Sequence, residues 1–218
     1  MSTLRLYEDK SDGYFANARR DIVYRLRTGR NSAVLELGCG EGGTGEATLA
    51  AGKAGRYVGI ELNPAAAKIA RGRLSEVLEG DVESLDLAAL ESRFDALIIS
   101  EVLEHLTDPW RVLRDLARCV RPGGQVFASS PNISHWKVVR SLALGRFDYE
   151  ESGVMDRTHL RWFTPASYRH LFEQAGLDVV SLDPLTPHSG KTRLINRLSR
   201  NRFRHLFMTQ IMVEAVRR

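Results

Sequence analysis

Cysteine is nearly missing from this sequence: Cys39 and Cys119 are the only two in 218 residues. That excludes a disulfide framework and suits a reducing compartment. Long apolar runs are missing as well, and none approaches the roughly 20 residues a membrane-spanning helix needs. The opening stretch MSTLRLYEDKSDGYF lacks the apolar core of a secretory signal. Together these absences lead to the expectation of a cytoplasmic protein. One-sided charge is also absent. Lys and Arg number 31 against 27 Asp and Glu, a formal charge of +4, too mild to demand nucleic acid by itself. No internal repeat or low-complexity block occurs, and no metal-ligand cluster stands out along the chain.

What is present is material for one core. Hydrophobic residues make up 43% of the chain, near the globular average, and the length fits a single domain over 1–218. Tyr14, Phe15, Ile22, Val23 and Leu26 fall roughly on one helical face, which predicts an N-terminal cap helix within residues 1–30. Strands are predicted at 33–37, 56–62, 94–102 and 125–131, with a weak one around Val77 and Leu78. Helices are predicted between them, at 46–54, 65–74 and from Pro109 to Val120. Arg121-Pro122-Gly123-Gly124 is expected to end the last of these. The strand at 94–102 is apolar throughout its middle, as a central parallel strand covered on both faces should be. This alternation predicts an α/β fold, a parallel sheet with helices on both faces.

After Pro131 the rhythm breaks, and residues 132–163 read as irregular. A helix then begins with Thr164 as N-cap and Pro165 at its first position, and ends before Gly176. Strands follow at 178–185 and 206–216. Between them lies a basic run, 188–205, with no acid. Segments 131–163 and 186–205 are expected to form lids on the substrate side.

The stretch VLELGCGEGG carries the chemistry. A strand that ends in Gly-x-Gly before a helix brings backbone close to a ligand. Gly38, Gly40 and Gly43 also satisfy the spacing of a dinucleotide site, so NAD is one reading and a ligand-free turn is another. Glu61, Asp81 and Ser100 end the next strands. In an open α/β sheet all these ends lie at one edge, where ligands bind, and a carboxylate at Glu61 would accept ribose hydroxyls.

Taken together, these segments resemble the class I S-adenosylmethionine (SAM)-dependent methyltransferases, closest to the ubiquinone-biosynthesis type and to small methyltransferases of sugar and natural-product pathways. The resemblance rests on VLELGCGEGG, VGIELNP, GDVESL, FDALIISEVLEHLTDPW and RPGGQVFASSPN. It implies a Rossmann-like seven-stranded sheet with an antiparallel last strand, and SAM as cofactor. It implies that Glu36, Gly38, Cys39, Gly40, Glu61, Leu62, Asp81, Val82 and Ser100 contact SAM, with Glu61 on the ribose and Asp81 near the adenine amino group. NARRD (17–21) resembles a segment whose arginine holds the SAM carboxylate; Arg20 is the match, and Arg19 is the adjacent alternative. Glu36 and the terminal strand pair weigh against NAD. A SAM binder without turnover remains a rival, because fold does not fix function.

Methyl transfer to a hydroxyl, the expected reaction, needs an acceptor held in line and a group that takes its proton. His159, in GVMDRTHLRWFT, is the first candidate base, with Asp156 as its orienter. His135 beside Trp136 is the second. The plain alternative is that both histidines only pack the lid, and His105 reads as structural. Glu101 and Glu104 read as surface or cofactor-edge groups. Ser100-Glu101-Val102-Leu103 stands where methyltransferases of DNA bases and glutamine carry an Asn-Pro-Pro-Tyr-type loop, which argues against those acceptors. The expected partner is a small acceptor, possibly anionic and gripped by 188–205. Membrane or RNA contact through that run is less favoured than a solvated helical face.

Overall fold

The alternation of strand and helix is realised in the expected order. The computed structural model describes residues 18–218; Tyr14 and Phe15 of the expected cap helix lie outside them. Helix α1 (Arg20–Arg25) precedes strand β1 (Ala33–Leu37). Helix α2 (Gly43–Ala50), strand β2 (Arg56–Glu61), helix α3 (Pro64–Ala70) and strand β3 (Glu76–Glu79) follow. Then come β4 (Phe94–Ser100), α4 (Pro109–Cys119) and β5 (Val120–Pro131). The last third holds α5 (Trp136–Ala143), α6 (Pro165–Gln174), β6 (Leu177–Pro184), α7 (Gly190–Leu198) and β7 (Gln210–Arg217).

The seven strands form one sheet in the order β3-β2-β1-β4-β5-β7-β6. β1 through β5 pair in parallel, and β7 runs antiparallel between β5 and β6. Strand order reverses between β1 and β4, which opens a crevice at their carboxyl ends.

Period-two alternation along the central strands explains why both faces are covered. Leu35, Leu97, Ile99 and Val126 point into one core with Val112, Leu116, Tyr168 and Phe172. Val34, Ala96, Ile98 and Phe127 point into the other with Ile22, Leu26 and Tyr57.

Local chemistry sets the helix starts. The Asn63 side chain accepts from the N–H groups of Ala65 and Ala66 ahead of Pro64 in α3. Thr164 and Ser167 form a reciprocal capping box at α6. α2 starts at Gly43 rather than Glu46, because Gly42 caps it at φ 85°.

Three boundaries depart from the sequence pattern. Arg121-Pro122-Gly123-Gly124 does not separate helix from strand; it lies inside β5, whose Val120 pairs with Phe94 before a register shift. Residues 132–163 are not wholly irregular, since α5 lies among them. Residues Arg204–Phe207 form a 3₁₀ turn instead of strand. The Asn132 Nδ2 donates to the carbonyls of His205 (2.7 Å) and Met208 (2.8 Å), which holds this turn against the end of β5. That contact also ties the two expected lid segments together at the crevice. Among the described residues, no helix is long and apolar enough to cross a membrane.

Candidate active site

Gly38 and Gly40 follow β1 with φ of +70° and +54°, a region that favours glycine. A Cβ on Gly38 would stand 2.5 Å from Val102 Cγ2. The tight loop therefore lets backbone form the wall of a cavity of about 390 Å³. Glu61 braces that loop from the next strand end. Its Oε2 accepts the Gly40 N–H and its Oε1 accepts the Asn63 N–H, both at 2.8 Å. Burial raises the Glu61 pKa, against the lowering effect of those N–H groups.

Glu36 lies deeper, 2% exposed, with the Tyr57 hydroxyl donating to its Oε2 at 2.8 Å. Burial is the dominant effect and pushes its pKa up to about 8. Asp81 uses Oδ1 to accept the Glu83 N–H at 2.9 Å, beside buried Val82. The expected residues Glu36, Gly38, Cys39, Gly40, Glu61, Leu62, Asp81, Val82 and Ser100 all line this one cavity.

Arg20 does not. It is exposed on the first turn of α1, and Arg19 takes the place in the cavity wall. The reason is local. Arg19 precedes the helix, and its N–H donates to Thr44 Oγ1 at 3.2 Å. Its side chain then runs inward, where Nη1 donates to Ser129 Oγ at 2.8 Å. The next residue is turned outward by the helix.

Further wall residues include Glu101, read above as a surface or cofactor-edge group, and two from late in the chain. Glu101 adopts φ +55°, a costly conformation for a side-chain-bearing residue. Its Oε2 accepts from Gln210 Nε2 at 3.1 Å, across from the start of β7. Leu185 and Gln210 contribute from the flanks of α7, whereas no residue of 188–205 lines the cavity.

The three histidines separate. His105 lines the cavity. His159 stands behind it, 6% exposed, with ring centroids 4.8 Å apart and the planes at 64°. His135 precedes α5, its ring tilted against Trp136 at 5.9 Å, and it does not line the cavity. Asp156 Oδ1 accepts from both the N–H and the hydroxyl of Thr158, at 2.8 and 2.7 Å. The His159 ring meets the Val154 carbonyl through Nδ1 at 3.1 Å. Glu104 is no surface group: it is 1% exposed.

The wall suits a polar, elongated ligand. Ser100 Oγ and Glu101 Oε1 are buried there without a hydrogen-bond partner, and such atoms call for one. The volume lies within the roughly 300–1,000 Å³ of small-molecule sites. A family model described as a methyltransferase domain matches residues 13–182. A ubiquinone biosynthesis O-methyltransferase of Thiobacillus denitrificans is 33% identical over 162 residues, 70% of this chain and 67% of that protein. The enzyme of the same name from Aromatoleum aromaticum is 33% identical over 180 residues, 77% of this chain and 75% of the other.

The chain belongs to the SAM-dependent methyltransferases.

SAM is therefore the cofactor of this methyltransferase. A SAM-dependent methyltransferase structure from Mesorhizobium loti matches with a TM-score of 0.64 at 15% identity. It covers 92% of this chain and 98% of that one, a likeness in fold. In this methyltransferase the glycine loop, both strand-end acids and the orphaned Ser100 hydroxyl fit a cofactor with a ribose, an adenine and a charged amino-acid end.

Proposed function

We propose that this methyltransferase transfers the methyl group of SAM to a hydroxyl oxygen of a small molecule. The observation that carries the reading is the continuity of one cavity. Its wall runs from Gly38, Glu61 and Asp81 past Ser100 to Glu101, His105 and Gln210. The first set suits the cofactor, and the last three lie where an acceptor would meet it. The names of the two relatives support an oxygen acceptor.

SAM supplies the activated methyl group, so the chain's own residues mainly bind, orient and exclude water. Glu61 is assigned to the ribose hydroxyls and Asp81 to the adenine amino group. Arg19, not Arg20, is assigned to the cofactor carboxylate. Glu101, anchored on one oxygen by Gln210, stands with His105 at the acceptor end. Acceptor recognition is assigned to this wall rather than to the basic run 188–205.

Calorimetry with SAM and S-adenosylhomocysteine tests the cofactor half, and binding of both in the micromolar range is expected. A panel of phenols, sugars, amines and carboxylic acids with labelled SAM tests the other half. Label transferred to nitrogen or carboxyl acceptors but to no hydroxyl would overturn it.

A further inference from the structure

Four arginines gather at the edge of the sheet opposite the glycine loop. Arg30 precedes β1, Arg56 starts β2, Arg93 precedes β4 and Arg121 lies at the start of β5. Parallel pairing brings them together. Ala33 pairs with Arg56, and Phe94, next to Arg93, pairs with Val120, next to Arg121. With Asn31 and Gly55 they line a groove of about 540 Å³. We propose that this groove binds a small phosphate-bearing anion, a phosphate monoester or a pyrophosphate.

Two observations carry the proposal. The first is the balance of charge. Arg56 Nη2 donates to Glu76 Oε2 at 2.6 Å, and Arg121 Nη1 donates to Asp95 Oδ1 at 2.8 Å. Arg30 and Arg93 are exposed and have no ion pair among the described residues. Two guanidinium charges of one groove are therefore unmatched. The second is that its wall is held in place. Asp95 is fixed in turn, because its Oδ2 accepts the Ala33 N–H at 2.8 Å. Arg121 Nε also donates to the Ser92 carbonyl at 3.3 Å. The Arg56 guanidinium lies 5.7 Å from the centre of the Phe94 ring. Gly55 lets the chain ahead of β1 come close, since a Cβ there would collide with the Arg30 carbonyl oxygen.

A phosphate answers this arrangement. Its oxygens accept in pairs from the planar guanidinium fork. A phosphate monoester carries a charge of about −1.5 to −2 at pH 7, which matches two unpaired arginines. Asn31 adds an amide donor to the same wall. The volume lies within the range of small-molecule sites. An extended polyanion such as RNA suits the groove less. Glu76 and Asp95 stand among the arginines and would repel its neighbouring phosphates. The parallel strands run from this edge to the cofactor cavity, so the anion and SAM occupy opposite ends of the sheet. The site does not rest on the proposed O-methylation.

The test uses the full chain at about 0.15 M salt, where loose surface attraction is screened. Inorganic pyrophosphate and ADP are titrated by calorimetry, with a single-stranded RNA oligonucleotide as a third arm. One equivalent of pyrophosphate or ADP per chain is expected, with S-adenosylhomocysteine still bound. Arg30→Gln and Arg93→Gln should each weaken anion binding about tenfold or more, the worth of a charge-assisted hydrogen bond. Both side chains are exposed, so the melting temperature of each variant should match the wild type. Arg202→Gln, outside the groove, should stay within about twofold. No saturable binding of pyrophosphate or ADP by the wild type, equal affinities in all three variants, or binding of RNA alone would overturn the site. Displacement of S-adenosylhomocysteine by pyrophosphate would put the anion in the cofactor cavity and overturn it as well.

Discussion

The Tyr57 hydroxyl donates to Glu36 Oε2 at 2.8 Å, linking the start of β2 to the carboxyl-end half of β1. Burial of this pair lifts Glu36 to a pKa of about 8, from 4.5 for an ordinary glutamate. Between these values the folded chain holds a proton that the unfolded chain has released. Stability conferred by this group is therefore complete below about pH 4.5 and is lost as pH rises towards about 8. The slope contributed approaches roughly 1.4 kcal/mol per pH unit. Melting of the free protein should fall across that window, and Glu36→Gln should make the decline shallower by one proton. An identical pH profile in the variant would refute the assignment.

Arg19 and Arg20 offer a paired comparison. Arg19→Ala should weaken SAM binding by roughly ten- to a hundredfold, the worth of a charge-assisted hydrogen bond. Arg20→Ala should stay within about twofold, because its side chain is exposed. Calorimetry on both variants decides the point, and equal losses would count against the placement of Arg19.

Gly38→Ala combines two penalties. The backbone at φ +70° disfavours a Cβ, and that Cβ would collide with Val102 Cγ2 at 2.5 Å. A stability loss of roughly 1–3 kcal/mol is expected, measured by chemical denaturation. SAM affinity should fall in the same variant. Wild-type values for both would mean that the loop moves freely.

The histidines should differ in kind. His159→Ala and His105→Ala should keep S-adenosylhomocysteine affinity within about threefold and lower kcat by about a hundredfold or more. His135→Ala should change kcat by less than about tenfold, since His135 does not line the cavity. A full-speed His159→Ala enzyme would exclude any role for that residue in turnover.

The fold was legible because its signals are local or periodic. β4 announced itself by an unbroken apolar middle, and α6 by Thr164, Pro165 and Gly176. The third strand was faint because Glu76–Glu79 is short and only half covered by neighbours. The RPGG segment misled because glycine and proline usually punctuate, whereas here a bulged strand start accommodates them. The choice between Arg19 and Arg20 turned on which residue stands before the helix, a boundary that spacing alone leaves open.

The sequence by itself determined where most strands and helices fall, the glycine loop and the order of the strand-end acids, because each depends on neighbours within a few residues. It also carried the motif set that marks a SAM-dependent methyltransferase. Only the tertiary structure decided what faces what at the acceptor end. Gln210 meets Glu101 because β7 runs antiparallel beside β5. His159 reaches His105 and Glu104 because the Glu104 carbonyl captures the chain at Leu160 and Arg161. Contacts of that kind join segments far apart in the chain, and no local propensity records them.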